Sequence, residues 1–285
     1  MTRPALTGGE AVCAICPHHC VLAPGQWGRC RARHNLDGAI VSGNYGVVTA
    51  LALDPIEKKP LNHYYPGSSI LSVGSFGCNM ACPFCQNSHI SMAGPAEKGQ
   101  WATMEPEQLV KTALETRSRG NIGLAFTYNE PLVGYEFVLD CARLSAGAGL
   151  RNVLVTNGYI CREPFQKLLP YIHGMNVDLK GSRVEYYRKL GGDLETVKAN
   201  IALAASVCHV EVSTLVVPGE NDGRHEIDAL AQWLAGIDPQ IPYHITRFFP
   251  RWKMADKKPT PIEQVYDLAS IARCHLANVY EGNCG

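Results

Sequence analysis

The order of elements along residues 69–280 constrains the fold of this chain most strongly. From Ser69 onward, short apolar runs alternate with amphipathic stretches of helical length, and six or seven such strand–helix units follow one another. Parallel strands need a crossover connection, usually a helix, and a sheet that is covered on both faces. We therefore predict an α/β fold, an incomplete (β/α)6-type barrel, with its chemistry at the carboxyl ends of the strands.

Residues 1–66 have a different character. They are irregular, rich in Gly, Pro and His, and they carry four closely spaced cysteines. Only short strand-like pieces interrupt this pattern, near Ala39–Val41 and Val47–Leu53. We predict two units: a small cysteine-bearing N-terminal extension over residues 1–66, and the partial barrel over residues 67–285.

Charge and hydropathy limit the partners that the chain is expected to have. It contains 26 Lys and Arg against 26 Asp and Glu, which gives no electrostatic reason to bind nucleic acid or an anionic membrane. No stretch approaches the roughly 18 apolar residues that span a bilayer, and the first residues lack the apolar run of a signal peptide. We expect a cytoplasmic protein that binds neither nucleic acid nor membrane.

Twelve cysteines are many for such a protein, and clustered thiols in a reducing compartment indicate metal binding or catalysis. Cys78, Cys82 and Cys85 follow the first predicted barrel strand with the spacing C-x3-C-x2-C. Three thiolates can bind three irons of a cubane cluster and leave the fourth iron open. The alternative is a structural zinc site, for which His89 would supply the fourth ligand.

This loop resembles the signature of radical S-adenosylmethionine (SAM) enzymes, in which an aromatic residue such as Phe84 precedes the third cysteine. The resemblance implies a [4Fe-4S] cluster and SAM as cofactors. It also implies that one electron from the cluster breaks the C5′–S bond of SAM, and that the resulting 5′-deoxyadenosyl radical abstracts hydrogen from a substrate.

The second predicted barrel strand ends in Asn129-Glu130-Pro131. Radical SAM enzymes carry a Gly-Gly-Glu-Pro stretch here, which holds the amino group of SAM. The glycines are replaced in this chain, so the resemblance carries a cofactor contact over to Asn129 and Glu130 alone. The alternative is an ordinary turn at the end of a strand.

Two further strand ends carry polar pairs. Thr156 and Asn157 precede a glycine that would let the backbone approach a ligand, and we expect them to face the ribose of SAM. Strand alternation places Asp178 and Lys180 on one face of the next strand. They either contribute to the SAM or substrate site or form a structural ion pair, and both roles fit the sequence.

The N-terminal cysteines have the spacing C-x2-C-x3-C-x9-C, which allows four thiolates to close around one metal centre. A second [4Fe-4S] cluster and a structural zinc are both candidates, with unligated thiols as the remaining alternative. A four-cysteine cluster would have no open iron, so it would serve electron relay, substrate contact or folding, whereas zinc would serve folding. The residues concerned are Cys13, Cys16, Cys20 and Cys30, with His18 and His19 as substitutes for one of them.

A proline-bracketed charged run, Asp54–Tyr64, connects the two cysteine groups. We expect it either to line the mouth of the site or to form a surface loop.

Taken together, these motifs resemble the radical SAM enzyme of the AmmeMemoRadiSam system, which is itself similar to pyruvate formate-lyase activating enzymes. The resemblance implies association with Memo-like and AMMECR-type proteins. Such proteins often continue into a short cysteine-bearing tail, whereas this sequence ends at Cys284-Gly285. The resemblance extends over nearly the whole chain, through Cys13–Cys20, Asp54–Pro60, Gly77–Asn87, Thr127–Pro131, Thr156–Gly158, Val177–Gly181, Pro218–Asp222, His244–Pro250 and Val279–Asn283.

Three functions follow as hypotheses. The first is a radical SAM enzyme that acts on an unidentified small molecule or partner protein. The second is an activase that places a radical on a glycine of a partner enzyme. The third is an iron–sulfur electron carrier without catalysis, which would need neither an open iron nor Glu130. For the first two, we expect a reductant such as flavodoxin or ferredoxin.

Overall fold

The computed structural model describes residues 8–285, apart from the side chains of residues 98–100. Within these described residues, the strands are β1 (Ala11–Val12), β2 (Val21–Leu22), β3 (Arg33–Leu36), β4 (Ala39–Ser42), β5 (Val47–Val48), β6 (Ala50–Pro55), β7 (Ser69–Gly74), β8 (Ala102–Thr103), β9 (Asn121–Phe126), β10 (Arg151–Thr156), β11 (Gly174–Asp178), β12 (His209–Val216), β13 (Tyr243–Arg247) and β14 (Val279–Gly282). Eight of these described strands form the main sheet, in the order β14-β13-β12-β11-β10-β9-β7-β6, in which the β6–β7 pair is antiparallel and the other pairs are parallel. The remaining described strands pair as β1 with β2, β3 with β4, and β5 with β8.

Helices connect the parallel strands, which confirms the predicted α/β partial barrel. The helices are α1 (Ser88–Ser91), α2 (Pro106–Glu115), α3 (Tyr135–Gly147), α4 (Arg162–Leu168), α5 (Val184–Leu190), α6 (Leu194–Ala205), α7 (Arg224–Ala235) and α8 (Ile262–Ala272).

Helix α2 shows how local sequence sets these boundaries. Pro106 occupies the first turn, where its missing N–H costs nothing. The side chain of Gln108 accepts a hydrogen bond from the backbone N–H of Glu105 at 2.8 Å, which is half of a capping box. Leu109 and Ala113 share the buried face and pack against the sheet.

Strand β6 belongs to the segment predicted as the N-terminal extension, yet it pairs with β7 over its whole length. The predicted boundary between residues 66 and 67 thus falls between two paired strands, and the division of the chain into two units stays a prediction. Residues 1–7 of that extension lie outside the described residues. The prediction that the chain begins without a signal peptide concerns these residues in part. Within residues 8–285, no helix combines the length and the apolar character that crossing a bilayer requires.

The sheet has two free edges, β6 and β14, and the segment after β6 lies across the amino ends of the parallel strands. We call the end of the barrel at which these amino ends lie the lower end. Here the backbone N–H groups of Asn62 and His63 donate to the buried carboxylate of Glu211 on β12, at 2.9 and 2.7 Å. The ring of His63 is hydrogen-bonded to the hydroxyl of Tyr280 on β14, so this segment links both edges of the sheet.

The segment Asp54–Tyr64 therefore lies at the lower end, and the expectation that it lines the mouth of the site is wrong. Part of it lies at the surface, where Glu57 and Lys58 are exposed. Lys59 is 3% exposed, and its ammonium pairs with Asp54 at 2.8 Å. The hydroxyl of Tyr128 donates to the same carboxylate at 2.7 Å. Asp54 and Lys59 are thus paired inside the lower half of the barrel, because β6 runs antiparallel and carries the chain away from the mouth.

Candidate active site

The loop that carries Cys78, Cys82 and Cys85 begins just after β7, at the carboxyl ends of the parallel strands, which we call the upper end of the barrel. Neighbouring segments fix its backbone. The N–H of Cys78 donates to the carbonyl of Cys30 at 3.2 Å, and the N–H of Ala81 donates to that of Leu190 at 2.9 Å. These two hydrogen bonds hold the loop, and with it the three thiols, against the N-terminal segment and the end of α5.

Gly77 permits the close approach of this loop to the N-terminal segment. Its φ is +91°, a conformation that side chains rarely adopt. A Cβ on Gly77 would lie 2.6 Å from the carbonyl oxygen of Cys30 and 2.8 Å from the Cβ of Ala32. Only glycine satisfies both requirements.

We predict that Gly77→Ala destabilises the protein by at least about 1–3 kcal/mol, because the left-handed backbone and the clash with Cys30 both oppose a side chain. Gly67→Ala is the matched control, since Gly67 has a φ of +79° and no atom within 4 Å of its virtual Cβ. Thermal unfolding and iron content measure the effect. Equal losses of thermal stability and iron content in the two variants would show that the contact with Cys30 is unimportant.

The donor set of the loop fits a cluster of several irons. Cys82 is buried, and burial raises its thiol pKa to about 11, although the ammonium of Lys180 works against this. The backbone N–H of Met80 points to the sulfur of Cys78 at 3.4 Å, and N–H contacts of this kind tune iron–sulfur sites. His89, the alternative zinc ligand, is exposed on α1.

Glu130 joins the ends of β9 and β10. Its carboxylate accepts hydrogen bonds from the hydroxyl of Thr156 and the N–H of Asn157, both at 2.7 Å, and from the N–H of Leu132 at 3.1 Å. Burial raises the pKa of Glu130 to about 7, although these three donors favour the ionised form. Glu130, Thr156 and Asn157 are thus brought together as one hydrogen-bonded unit beside the cysteine loop.

Asn129 and Asn157 direct their side chains to the cysteine loop. The amide of Asn129 donates to the carbonyl of Gly77 at 3.0 Å. The amide of Asn157 donates to the side-chain oxygen of Asn79 at 2.9 Å and lies 3.8 Å from the sulfur of Cys78. The sequence reasoning missed Asn79 as a functional residue, although its position inside C-x3-C was a usable signal.

Asp178 and Lys180 stand at the end of β11, on the same side as the cysteine loop. They form an ion pair at 2.9 Å, in agreement with the predicted shared face. Burial disfavours the ammonium of Lys180, but the negative charges of Asp178 and of a Cys82 thiolate hold its pKa well above the ordinary value. The carboxylate side chain of Asp178 is 46% exposed, so one partner of this pair faces open space.

Phe84 is 5% exposed and packs in the main hydrophobic core, together with Met80 and Cys82. The loop is covered further by the chain near Trp252, because the N–H of Lys253 donates to the carbonyl of Pro83 at 3.1 Å. Trp252 has a φ of +46°, and no motif in the sequence pointed to this cover.

The four N-terminal cysteines line one cavity beside this loop: Cys13, Cys16, Cys20 and Cys30. Of the two predicted histidine substitutes, His18 also lines this cavity, whereas His19 does not. The ring of His18 is hydrogen-bonded to the carbonyl of Asn79 at 2.8 Å, and the ring of His19 contacts the sulfur of Cys161 at 3.8 Å. The two histidines thus bind the cysteine loop and the segment before α4.

Known proteins resemble this chain in sequence over most of its length. The sequence model of the Radical SAM superfamily matches residues 72–234, more than half of the chain. An uncharacterized protein of Methanocaldococcus jannaschii, MJ0808, is 38% identical over 98% of this chain and 83% of its own. The pyruvate formate-lyase-activating enzyme of Clostridium pasteurianum is 26% identical over 62% of this chain and 77% of its own.

Solved structures show the same fold. Streptococcus suis SuiB, in its complex with S-adenosylmethionine, matches 72% of this chain and 48% of its own with a TM-score of 0.55. The identity in this comparison is 12%, so it bears on the fold alone. Through the sequence match over residues 72–234, the chain belongs to the radical SAM superfamily, whose enzymes use a [4Fe-4S] cluster and S-adenosylmethionine.

Proposed function

We propose that this enzyme cleaves SAM reductively and uses the resulting radical to abstract hydrogen from a substrate yet to be identified. The observation that carries this proposal is the C-x3-C-x2-C loop at the upper end of a partial barrel, fixed by hydrogen bonds to Cys30 and Leu190. In the proposal, Cys78, Cys82 and Cys85 hold the cluster. When bound, the cluster supplies the electron that breaks the C5′–S bond of SAM.

The residues around the loop have supporting roles in this proposal. Glu130, Thr156 and Asn157 join two strand ends and present them to SAM. The ammonium of Lys180 offsets the negative charge of the thiolate at Cys82, and the exposed carboxylate of Asp178 is available to a ligand. Asn129 orients the start of the loop, and Phe84 keeps water from its inner side.

The test begins with protein purified without oxygen, reconstituted with iron and sulfide, and reduced. We expect added SAM to change the electron paramagnetic resonance (EPR) signal of the reduced cluster and to yield methionine and 5′-deoxyadenosine in equal amounts, measured by mass spectrometry. A fully loaded, reducible protein whose EPR signal is unaffected by SAM would contradict the proposal.

We also propose that the enzyme is the radical SAM component of the AmmeMemoRadiSam system, in the cytoplasm. The motifs that support this run from Cys13–Cys20 to Val279–Asn283, well beyond the barrel signature. The proposed partners are a flavodoxin or ferredoxin as reductant, and Memo-like and AMMECR-type proteins. Co-purification of a tagged protein with these partners from its own host tests this assignment.

A glycyl-radical activase is the second candidate function. It is favoured by the 26% identity to the pyruvate formate-lyase-activating enzyme of Clostridium pasteurianum over 62% of this chain. Its substrate would be a glycine in a partner protein. Incubation of the reduced enzyme and SAM with candidate partners would then produce the doublet EPR signal of a glycyl radical, whereas a small-molecule substrate would leave no protein radical.

A further inference from the structure

We propose that Cys13, Cys16, Cys20 and Cys30 bind a second [4Fe-4S] cluster, which passes electrons to the cluster site of Cys78, Cys82 and Cys85. The transfer half of this inference rests on the proposed function, whereas the binding half does not. Sequence spacing alone left zinc and iron open at these cysteines, and the structure supplies two reasons to choose iron.

The first reason is that the four thiols form one site. Cys13 and Cys20 face each other at the end of the β1–β2 hairpin, where the N–H of Cys13 donates to the carbonyl of Cys20 at 3.0 Å. Cys16 lies in the turn of this hairpin, and Cys30 approaches from the following segment to line the same cavity. Three of the four are buried, with exposed fractions of 6–8% for Cys13, Cys16 and Cys30.

The second reason is that the site is already furnished with N–H groups aimed at sulfur. The backbone N–H groups of Ala32 and Arg33 point to the sulfur of Cys30. The backbone of His18 and the side chain of Asn79 do the same for Cys16. Hydrogen bonds to cysteine sulfurs are a means by which proteins stabilise iron–sulfur clusters and set their potentials.

The position of this site suits electron transfer to the barrel. The carbonyl of Cys30 accepts the N–H of Cys78 at 3.2 Å, so one hydrogen bond connects the backbones of two cluster ligands. His19 and Val21 of the hairpin, and Arg29 of the following segment, are exposed and accessible to a redox partner. The N-terminal site thus lies between the protein surface and the barrel loop.

The transfer moves one electron, and no covalent bond forms or breaks. A low-potential carrier of the flavodoxin or ferredoxin class reduces the N-terminal cluster from the 2+ to the 1+ state. That electron then reduces the barrel cluster from 2+ to 1+, and the N-terminal cluster returns to 2+. No proton is taken up or released.

Metal analysis tests the binding half. We expect the native protein to hold about eight irons per chain and no stoichiometric zinc, and two complementary variants to hold about four each. One is Cys13→Ser/Cys20→Ser, and the other is Cys78→Ala/Cys82→Ala/Cys85→Ala; Cys274→Ser, at an exposed cysteine remote from both sites, is the control. About four irons with one zinc in the native protein, or no cluster in the triple variant, would overturn the inference.

Reduction kinetics test the transfer half. With reduced flavodoxin as donor, we expect Cys13→Ser/Cys20→Ser to reduce its barrel cluster at least about tenfold more slowly than the native protein, equivalent to a barrier about 1.4 kcal/mol higher. Dithionite, a small reductant, should reduce both at similar rates. Equal rates with flavodoxin would refute the relay. In freeze-quenched native protein, the N-terminal EPR signal should precede the SAM-responsive one, and the reverse order would also refute it.

The two proposals fail in distinguishable ways. A native protein that cleaves SAM but holds only about four irons retains the proposed function and loses the second cluster. A triple variant that still binds about four irons, in a protein that never cleaves SAM, retains the second cluster and loses the proposed function.

Discussion

Replacing Cys82 with alanine is expected to abolish the formation of 5′-deoxyadenosine from SAM. The change leaves two thiols where the cluster needs three, and it does so at the most buried of the three positions. A cluster with a missing ligand is neither retained nor able to hold SAM in a fixed orientation. We expect the SAM-responsive EPR signal to disappear together with the product, while the N-terminal cluster keeps its own signal.

Two cysteine variants serve as controls for this result. Cys141→Ala removes a thiol that is fully buried in α3, so it reproduces the packing loss without touching a cluster. Cys274→Ala removes an exposed thiol after α8. Both should retain the SAM-responsive signal and product formation per folded molecule. Activity in Cys82→Ala at the level of these controls would remove Cys82 from the site.

The sequence predicted the barrel and its cysteine loop because both rest on local patterns. Alternating strands and helices and the C-x3-C-x2-C spacing are readable within short windows.

The roles of single polar residues were harder to read, because they depend on contacts between distant parts of the chain. The contact of Asn129 with SAM stays a prediction, but no local pattern indicated that its amide donates to the carbonyl of Gly77. The run Asp54–Tyr64 was expected near the mouth or on the surface. The direction of β6, which no local pattern reveals, places it at the lower end and not at the mouth.

Glu211→Gln is expected to destabilise the protein by about 3–5 kcal/mol, a large part of the roughly 5–15 kcal/mol that holds a domain together. The carboxylate of Glu211 is fully buried and accepts hydrogen bonds from the rings of His209 and His244, at 2.9 and 2.6 Å. The backbone N–H groups of Asn62 and His63 donate to it as well. A glutamine side chain has one acceptor oxygen, so its amide would meet N–H donors that it cannot satisfy.

The same carboxylate gives the native protein a dependence on pH that the variant should lack. Burial opposes ionisation of Glu211, but the donors from His209, His244, His63 and Asn62 outweigh it and lower the pKa to about 2. Because the folded-state pKa lies below the unfolded value of about 4.3, this contribution is present above that value and is lost as pH falls toward 2.

Lowering a carboxyl pKa from about 4.3 to about 2 is worth about 3 kcal/mol, which agrees with the loss expected for the variant. Urea unfolding of reconstituted protein between pH 7 and pH 3 should therefore show native and Glu211→Gln proteins drawing closer in stability as pH falls. Glu185→Gln, at an exposed carboxylate on α5, should follow the native curve within about 0.5 kcal/mol. A constant gap between native and Glu211→Gln proteins would mean that the lower-end contacts act through shape and not through the charge of Glu211.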